Sequence, residues 1–425
     1  MPVVVVVGAQ WGDEGKGKIV DLLTENVSAV VRWAGGANAG HTLVVDGKKY
    51  VTHLIPSGIL RPGLTCVLGE GMAIDPIVLV EEVRAFRAQG LLRRDQDLVV
   101  ADRAHLTLPY HKEMDRLREE GPDKIGTTKR GIGPTYESKA ARSGIRVGDL
   151  FRPERFRQAV ARNVAIIGPV LEQMGGVRPD VDAITSSYLA LADVLRPFVR
   201  DGSRFVNDQI RAGRNVMLEG GQGVLLDIDH GTYPFVTSSS TTAGGACAGC
   251  GIGPTRISAV LGIAKGYTTR VGLGPFPTEL LDATGELLRK RGNEFGSTTG
   301  RPRRCGWLDI PALRLAIRLS GMDALAMTKL DVLAGLSTVK ICVGYRFKGQ
   351  TIDEMPLDLD DLGAAEPTFE DLPGWPDTTD GECLPEAAAR YVARVSALCG
   401  VPIWMTSTGP GRLQTVVSRD PFAAA

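Results

Sequence analysis

The chain has 425 residues, enough for one large domain or two to three smaller ones. Its 49 Lys plus Arg balance 49 Asp plus Glu. A neutral chain lacks the dominant positive field that general nucleic-acid binding requires, though it leaves a local anion site open. Hydrophobic content of 43% and charged content of 23% are ordinary for a globular protein. The 52 glycines follow no period and mark tight turns and close backbone approaches. Seven widely spread cysteines form no disulfide framework and suit a reducing compartment. Cys247 and Cys250 make a lone C-x-x-C without the further ligands that a zinc site needs. With no basic leader and no membrane-length apolar run, a cytoplasmic protein is expected.

Val3 to Val7 is a wholly apolar, β-branched run, which predicts a strand buried on both faces of a parallel sheet. It enters the glycine-rich segment from Gly8 to Lys18, after which Ile19, Val20, Leu22 and Leu23 take helical spacing up to Asn26. Val27 to Trp33 reads as the next strand. Further strands are predicted at Thr65–Leu68, Leu98–Val100, Asn215–Leu218, Ala259–Gly266 (which also admits a helix), Ala324–Thr328, Val339–Tyr345 and Val401–Met405. Helical patterns cover 76–89, 153–174, 183–200, 311–319 and 386–398. Strands alternating with helices predict an α/β fold with a large, mostly parallel central β-sheet flanked by helices. Neither repeat nor linker marks a boundary, so residues 1–425 are expected as a single catalytic domain. Residues 351–386 hold twelve acids, five prolines and no Lys or Arg. Their apolar anchors, including Leu362 and Trp375, predict an ordered acidic excursion rather than a disordered tail.

A buried strand leading through glycines into a helix is a phosphate-binding arrangement, because helix N-terminal amides meet the anion. Gly12, Gly17 and Lys18 fit most of the P-loop pattern, but Ile19 stands where its magnesium-binding hydroxyl belongs. Asp13 and Glu14 sit inside the loop instead. A carboxylate there suits holding magnesium or taking a proton from a substrate. Thr328-Lys-Leu-Asp331 follows an apolar strand and is similar to the guanine-reading element of P-loop proteins. Asp331 can accept from guanine N1–H and N2–H₂, which adenine does not offer, and Lys329 can lie along the base face. Ser297-Thr-Thr-Gly-Arg-Pro-Arg-Arg304 places three arginines and three hydroxyls in eight residues. Guanidinium forks match carboxylates bidentately.

Gln10-Trp-Gly-Asp-Glu-Gly-Lys-Gly-Lys18 resembles the signature of the adenylosuccinate synthetase family. So do Gly35–Thr42, Gly126–Pro134, Glu219–Gly223, Asp227–Pro234, Ser297–Arg304 and Thr328–Asp331, in the same order, from residue 3 to about 412. The resemblance implies a P-loop-like GTP-binding ligase fold. It also implies that inosine monophosphate (IMP) and L-aspartate are joined to adenylosuccinate at the expense of GTP, through a 6-phosphoryl-IMP intermediate in purine (AMP) biosynthesis.

By the same resemblance, Asp13 is the base and His41 the acid of a catalytic set with Lys16 and Gln222. Magnesium is held by Asp13 and the Gly40 carbonyl. GTP meets Gly12, Asp13, Glu14, Gly15, Lys16, Gly17, Lys18, Gly40, His41, Thr42, Arg303, Lys329, Leu330, Asp331, Ser407, Thr408 and Gly409. IMP meets Asp13, Glu14, Gly15, Lys16, Asn38, Ala39, Gly40, His41, Thr128, Gln222, Thr237 and Arg301. Arg142 reaches the IMP phosphate of a neighbouring subunit, implying a homodimer. Aspartate meets Ser297, Thr298, Thr299, Gly300, Arg301, Pro302 and Arg303, with the division of labour among Arg301, Arg303 and Arg304 left open. The competing reading is a GTP-binding regulatory GTPase, which shares the glycine loop and Thr328–Asp331. It has no use for the arginine loop, and the missing hydroxyl at Ile19 argues against it. A dinucleotide-dependent oxidoreductase is disfavoured, because no strand leads into a clean G-x-G-x-x-G with a following acid.

Overall fold

The computed structural model describes residues 2–45, 48–122, 124–296, 300–376, 384–412 and 414–423, without the side chains of 41–45 and 48–49. Among the described residues the central sheet has ten strands. They are β1 (Val3–Gly8), β2 (Ala29–Arg32), β3 (Thr65–Leu68), β4 (Leu98–Ala101), β5 (Val199–Arg200), β6 (Val216–Gly223), β7 (Ala259–Lys265), β8 (Ala324–Thr328), β9 (Ile403–Ser407) and β10 (Thr415–Val417). Their order across the sheet is β10-β9-β8-β7-β1-β6-β2-β3-β4-β5. Every neighbouring pair is parallel except β9 with β10.

The valine run explains why β1 is central. Val3, Val5 and Val7 pack into one core with Leu218 and Leu313, while Val4 and Val6 pack into the other with Ile19 and Val20. All five are at most 1% exposed. Each contributes on the order of 1.5–3 kcal/mol of apolar burial, and no polar alternation is needed on a strand covered on both faces. The parallel arrangement has a functional consequence. All the parallel strands end at the same edge of the sheet, where open α/β sheets bind ligands. The glycine loop follows β1, Asn38 follows β2, Gln222 is the penultimate residue of β6, Lys329 and Asp331 follow β8, and Ser407 ends β9.

Several elements depart from the sequence expectation. The helix expected over 183–200 is broken into Val181–Leu189, Ala192–Leu195, a 3-10 turn at Arg196–Phe198 and strand β5. Pro197 cannot donate within a helix, and Val199 pairs with Val100 at the sheet edge. Ala259–Lys265 is a strand between β1 and β8. Helices at Pro109–Glu120, Ile132–Ala140, Gly202–Arg211, Ala243–Cys250 and Ala283–Arg291 were not legible. Ala243–Cys250 has three glycines, a poor helical composition. Tertiary packing requires two of them: a Cβ on Gly249 would lie 2.3 Å from the Trp33 carbonyl, and one on Gly245 would lie 2.5 Å from Ser240 Oγ. Within that helix Cys250 is buried, and the described residues hold no cluster of His, Cys, Asp or Glu arranged for a metal.

The acidic stretch is ordered where it is described. Gln350–Ile352 and Glu366–Pro373 pair with Thr338–Phe347 in a small second sheet, and Leu362 and Trp375 are buried. Residues 377–383 lie outside the described residues.

Helices Pro109–Glu120 and Ile132–Ala140 meet over a buried polar seam. His111 Nδ1 accepts from the Leu108 N–H at 3.1 Å, and its Nε2 lies 3.0 Å from Ser138 Oγ. Burial pushes His111 down to about 3. Burial, with Lys139 and Arg146 nearby, pushes His105 down to about 4. Both values lie below the ordinary 6.5, so the unfolded chain binds more protons. Their contribution to stability is complete above about pH 6.5 and is lost as pH falls towards 4 and then 3. For His111 the loss between pH 7.5 and 5 is expected to be about 2 kcal/mol. Urea unfolding at the two pH values checks this. His111→Asn, which retains an acceptor for Leu108, should flatten the dependence, and an unaltered dependence would refute the assignment.

Candidate active site

The loop after β1 is shaped by a buried carboxylate. Glu14 is fully buried, and its Oε1 accepts from the amides of Gln10 at 3.2 Å and Gly12 at 2.8 Å. Its Oε2 pairs with Lys16 Nζ at 2.6 Å. A Cβ at Gly8 would stand 2.3 Å from Glu14 Oε2, so glycine lets the loop fold back onto its own strand. Thr328 Oγ1 donates to the Glu14 carbonyl at 2.5 Å, tying the loop to β8. Asp13 has a left-handed backbone (φ 60) and a side chain 34% exposed. The two acids therefore differ in role: Glu14 braces the loop from within, and Asp13 faces outwards.

Asp13 opens onto a cavity of about 1290 Å³. That exceeds the usual range of roughly 300–1,000 Å³ for a single small ligand. Gly12, Gly15, Lys16, Gly17, Asn38, Ala39, Gly40, Thr128, Gln222, Thr237, Arg301, Arg303 and Lys329 line it with Asp13. Asn38 Oδ1 accepts from the Gly36 amide at 3.1 Å and lies 3.5 Å from Gln222 Nε2. The hairpin His41–Val45 with Lys48–Thr52 begins directly after Gly40. The side chains of His41 and Thr42, and residues Ser297, Thr298 and Thr299, lie outside the described residues. Arg142 follows helix Ile132–Ala140, where its side chain is exposed and does not line the cavity.

The three arginines of 297–304 separate into distinct environments. Arg301 lines the cavity, and its Nη2 donates to the Gly126 carbonyl at 3.2 Å. Arg304 is held away by Glu279 through Nε at 2.8 Å and by the Gly274 carbonyl at 2.8 Å. Arg303 reaches into the glycine loop. Its Nη2 and Nε each lie 2.9 Å from an Asp13 oxygen, and its Nη1 lies 2.6 Å from Glu294 Oε2.

Glu294 was not legible in the sequence, and neither was Lys265. Both are fully buried. Glu294 Oε1 receives Lys265 Nζ at 2.9 Å, Lys329 Nζ at 2.8 Å and the Tyr267 hydroxyl. Burial alone would push the Glu294 carboxyl up. The Lys265, Lys329 and Arg303 charges overcome burial and hold it well below the usual carboxylate range. Burial lowers Lys265 to about 8 against the pull of Glu294. Neither residue belongs to a recognisable motif; only their meeting at the ends of β7 and helix Ala283–Arg291 makes them a unit.

A second shoulder adjoins the cavity. Lys18 turns away from the glycine loop and donates to Ser407 Oγ at 2.6 Å and to the carbonyls of Gly409 at 2.6 Å and Gln414 at 2.8 Å. Burial lowers Lys18 to about 8, and the nearby Asp331 opposes that. Lys329 is anchored by its ammonium at Glu294 and at the Gly292 carbonyl, 2.6 Å away. Leu330 is buried beneath. Asp331, Ser407, Thr408 and Gly409 stand outside the cavity lining, beyond Lys18.

A family model described as adenylosuccinate synthetase matches residues 5–416. The chain is 53% identical over 434 residues to the adenylosuccinate synthetase of Myxococcus xanthus (strain DK1622), covering 99% of this chain and 100% of that one. It is 53% identical over 429 residues to that of Carboxydothermus hydrogenoformans, with the same coverage. A solved structure of fully ligated adenylosuccinate synthetase from Plasmodium falciparum matches with a TM-score of 0.93 at 38% identity, covering 99% of this chain and 100% of that one. The succinoaminodeoxyadenylate synthetase of cyanophage S-2L shares the fold, with a TM-score of 0.64 at 21% identity over 99% of this chain and 96% of that one. The signature beginning at Gln10, the arginine loop and the Thr328–Asp331 element thus lie within one continuous match, and the chain belongs to the adenylosuccinate synthetase family.

Proposed function

We propose that the cavity at the carboxyl edge of the sheet is where this ligase phosphorylates IMP and joins it to aspartate. As a family member, the chain is a GTP-dependent IMP–aspartate ligase of purine biosynthesis. The family match gives the regulatory-GTPase reading no support. The observation carrying the residue-level reading is the convergence of Asp13, Lys16, Asn38, Gln222, Arg301 and Arg303 on one cavity.

The hypoxanthine C6 oxygen is a lactam oxygen and a poor leaving group. Asp13 takes the N1 proton, so that this oxygen attacks the γ-phosphorus and GDP departs. The aspartate amine then attacks C6, and phosphate leaves with the C6 oxygen. His41 donates to the phosphoryl oxygens. Lys16, the loop amides and Arg303 stabilise the charge on the transferring group. Gln222, Asn38, Thr128 and Thr237 hold IMP, and residues 297–303 hold the aspartate carboxylates. Asp331 reads guanine, with Ser407–Gly409 beside it.

Magnesium fits the oxygen donors present. Asp13 is a partly exposed carboxylate on the cavity wall near Gly40, and magnesium commonly takes one or two protein oxygens alongside substrate phosphates and water. Asp13 and the Gly40 carbonyl would hold it, where it would neutralise triphosphate charge. The exposed Arg142 supports a homodimer in which it completes the partner's site. The whole chain is read as one cytoplasmic catalytic domain. Its described cysteines are free, and no described helix is long and apolar enough to cross a membrane.

Product formation from GTP, IMP, L-aspartate and magnesium, with each omitted in turn, tests the reading. Adenylosuccinate should form only with all four present. GTP hydrolysis that proceeds equally without IMP and aspartate would overturn it. In the same assay Asp331→Asn should raise KM for GTP about 100-fold, through lost charge-assisted hydrogen bonds, and leave KM for IMP within about threefold. Equal effects on both substrates would count against the guanine assignment.

A further inference from the structure

The Arg303 guanidinium is divided between two carboxylates of different character. One edge, Nη2 and Nε, meets Asp13, which is partly exposed to the cavity. The other, Nη1, meets Glu294 Oε2 at 2.6 Å in a fully buried setting. The backbone repeats the link, since the Arg303 amide donates to the Glu294 carbonyl at 2.9 Å. Lys265 and Lys329 share the remaining oxygen, Oε1. The cluster therefore joins three cations, Lys265, Lys329 and Arg303, to two carboxylates, Asp13 and Glu294. The surplus positive charge lies at the cavity, where an anion would meet it. A buried carboxylate is expensive to desolvate unless it is fully paired, so Glu294 is the fixed member. Asp13, partly exposed on the cavity wall, is the exchangeable one.

We propose that Glu294 is a positioning residue: it clamps one edge of the Arg303 guanidinium so that the opposite edge passes from Asp13 to the incoming triphosphate. This rests on the reading that Arg303 faces the transferred phosphoryl group. The exchange does two things together. It frees Asp13 to take a proton, and it presents Arg303 already oriented to the phosphate, with no second search for its geometry. Because Lys329 is tied to the same carboxylate, the guanine-reading segment and the phosphate-facing arginine share one anchor.

The test is steady-state kinetics on Glu294→Gln, Glu294→Asp, Arg303→Leu and the double variant Glu294→Gln/Arg303→Leu, with thermal melts of each. Glu294→Gln should lower kcat about 100-fold and keep KM for IMP within about threefold. In that background Arg303→Leu should cost no more than about threefold further, because two residues acting as one unit are not additive. Glu294→Asp keeps the charge but withdraws it by one methylene. It should fold and still lose at least about tenfold in kcat, which carries the test if Glu294→Gln does not fold. A folded Glu294→Gln or Glu294→Asp with kcat within about threefold of the parent overturns the proposal, as do losses that multiply in the double variant. If Arg303→Leu alone keeps parental kcat, the assignment of Arg303 fails as well. If Arg303→Leu is inactive and both Glu294 variants are active, only the positioning role fails.

Discussion

Replacing Asp13 by Asn is expected to abolish turnover, by at least about 10³-fold, and to leave a folded protein. Asp13 is the loop acid that faces the cavity, since Glu14 is buried and committed to Gln10, Gly12 and Lys16. Asn is preferable to Ala because position 13 has φ 60, a left-handed conformation that Asn tolerates better than other side chains with a Cβ. On the proposed roles of Asp13, the substitution removes the proton acceptor and a magnesium ligand together. Arg303 keeps its Glu294 partner, so no buried charge is stranded. Thermal unfolding should stay within a few degrees of the parent, while single-turnover assays show no 6-phosphoryl-IMP and no GDP. Activity within tenfold of the parent would remove Asp13 as the base.

The second large effect is a gain. Asp13→Asn and Arg142→Leu should each be nearly inactive alone, and mixing them should restore activity. If Arg142 serves its partner's site, a mixed dimer has one site doubly damaged and one wholly intact. Random reassortment at equal concentrations makes about half the dimers mixed, so about a quarter of parental specific activity should return. Arg142 is exposed and off the wall of its own chain's cavity, which makes a role within that site geometrically poor. Subunit exchange is followed by labelling one variant. Exchange without recovered activity would show that Arg142 acts elsewhere.

The sequence was most informative where local pattern carries the chemistry. Five valines without polar alternation specify a strand buried on both faces, and Val3–Gly8 is the central strand. The glycines of the following loop read as tight turns, and Gly12 and Gly15 have positive φ. The motif at Gln10–Lys18, with six further segments in the same order from Gly35–Thr42 to Thr328–Asp331, was sufficient to name the family. They could not say how the motifs face one another. Arg303 and Asp13 meet across 290 residues and Lys18 and Ser407 across 389, contacts that only the tertiary fold creates.

The same reason explains what was missed. Glu294 stands between Asn293 and Phe295 with no periodic or motif signal, and Lys265 ends an apolar strand as an isolated charge. Each would be an unfavourable buried ion alone; together, with Lys329 and Arg303, they form a compensated cluster. Within the arginine loop, sequence could not rank three neighbouring guanidinium groups. Their partners, Gly126 for Arg301, Asp13 and Glu294 for Arg303, and Glu279 for Arg304, come from other segments. The sequence by itself determined the kinds of chemical group present and the local shapes of the loops that carry them. Tertiary structure alone decided which charges are neighbours, because ion pairing and burial depend on distance in space, which the order of parallel strands sets.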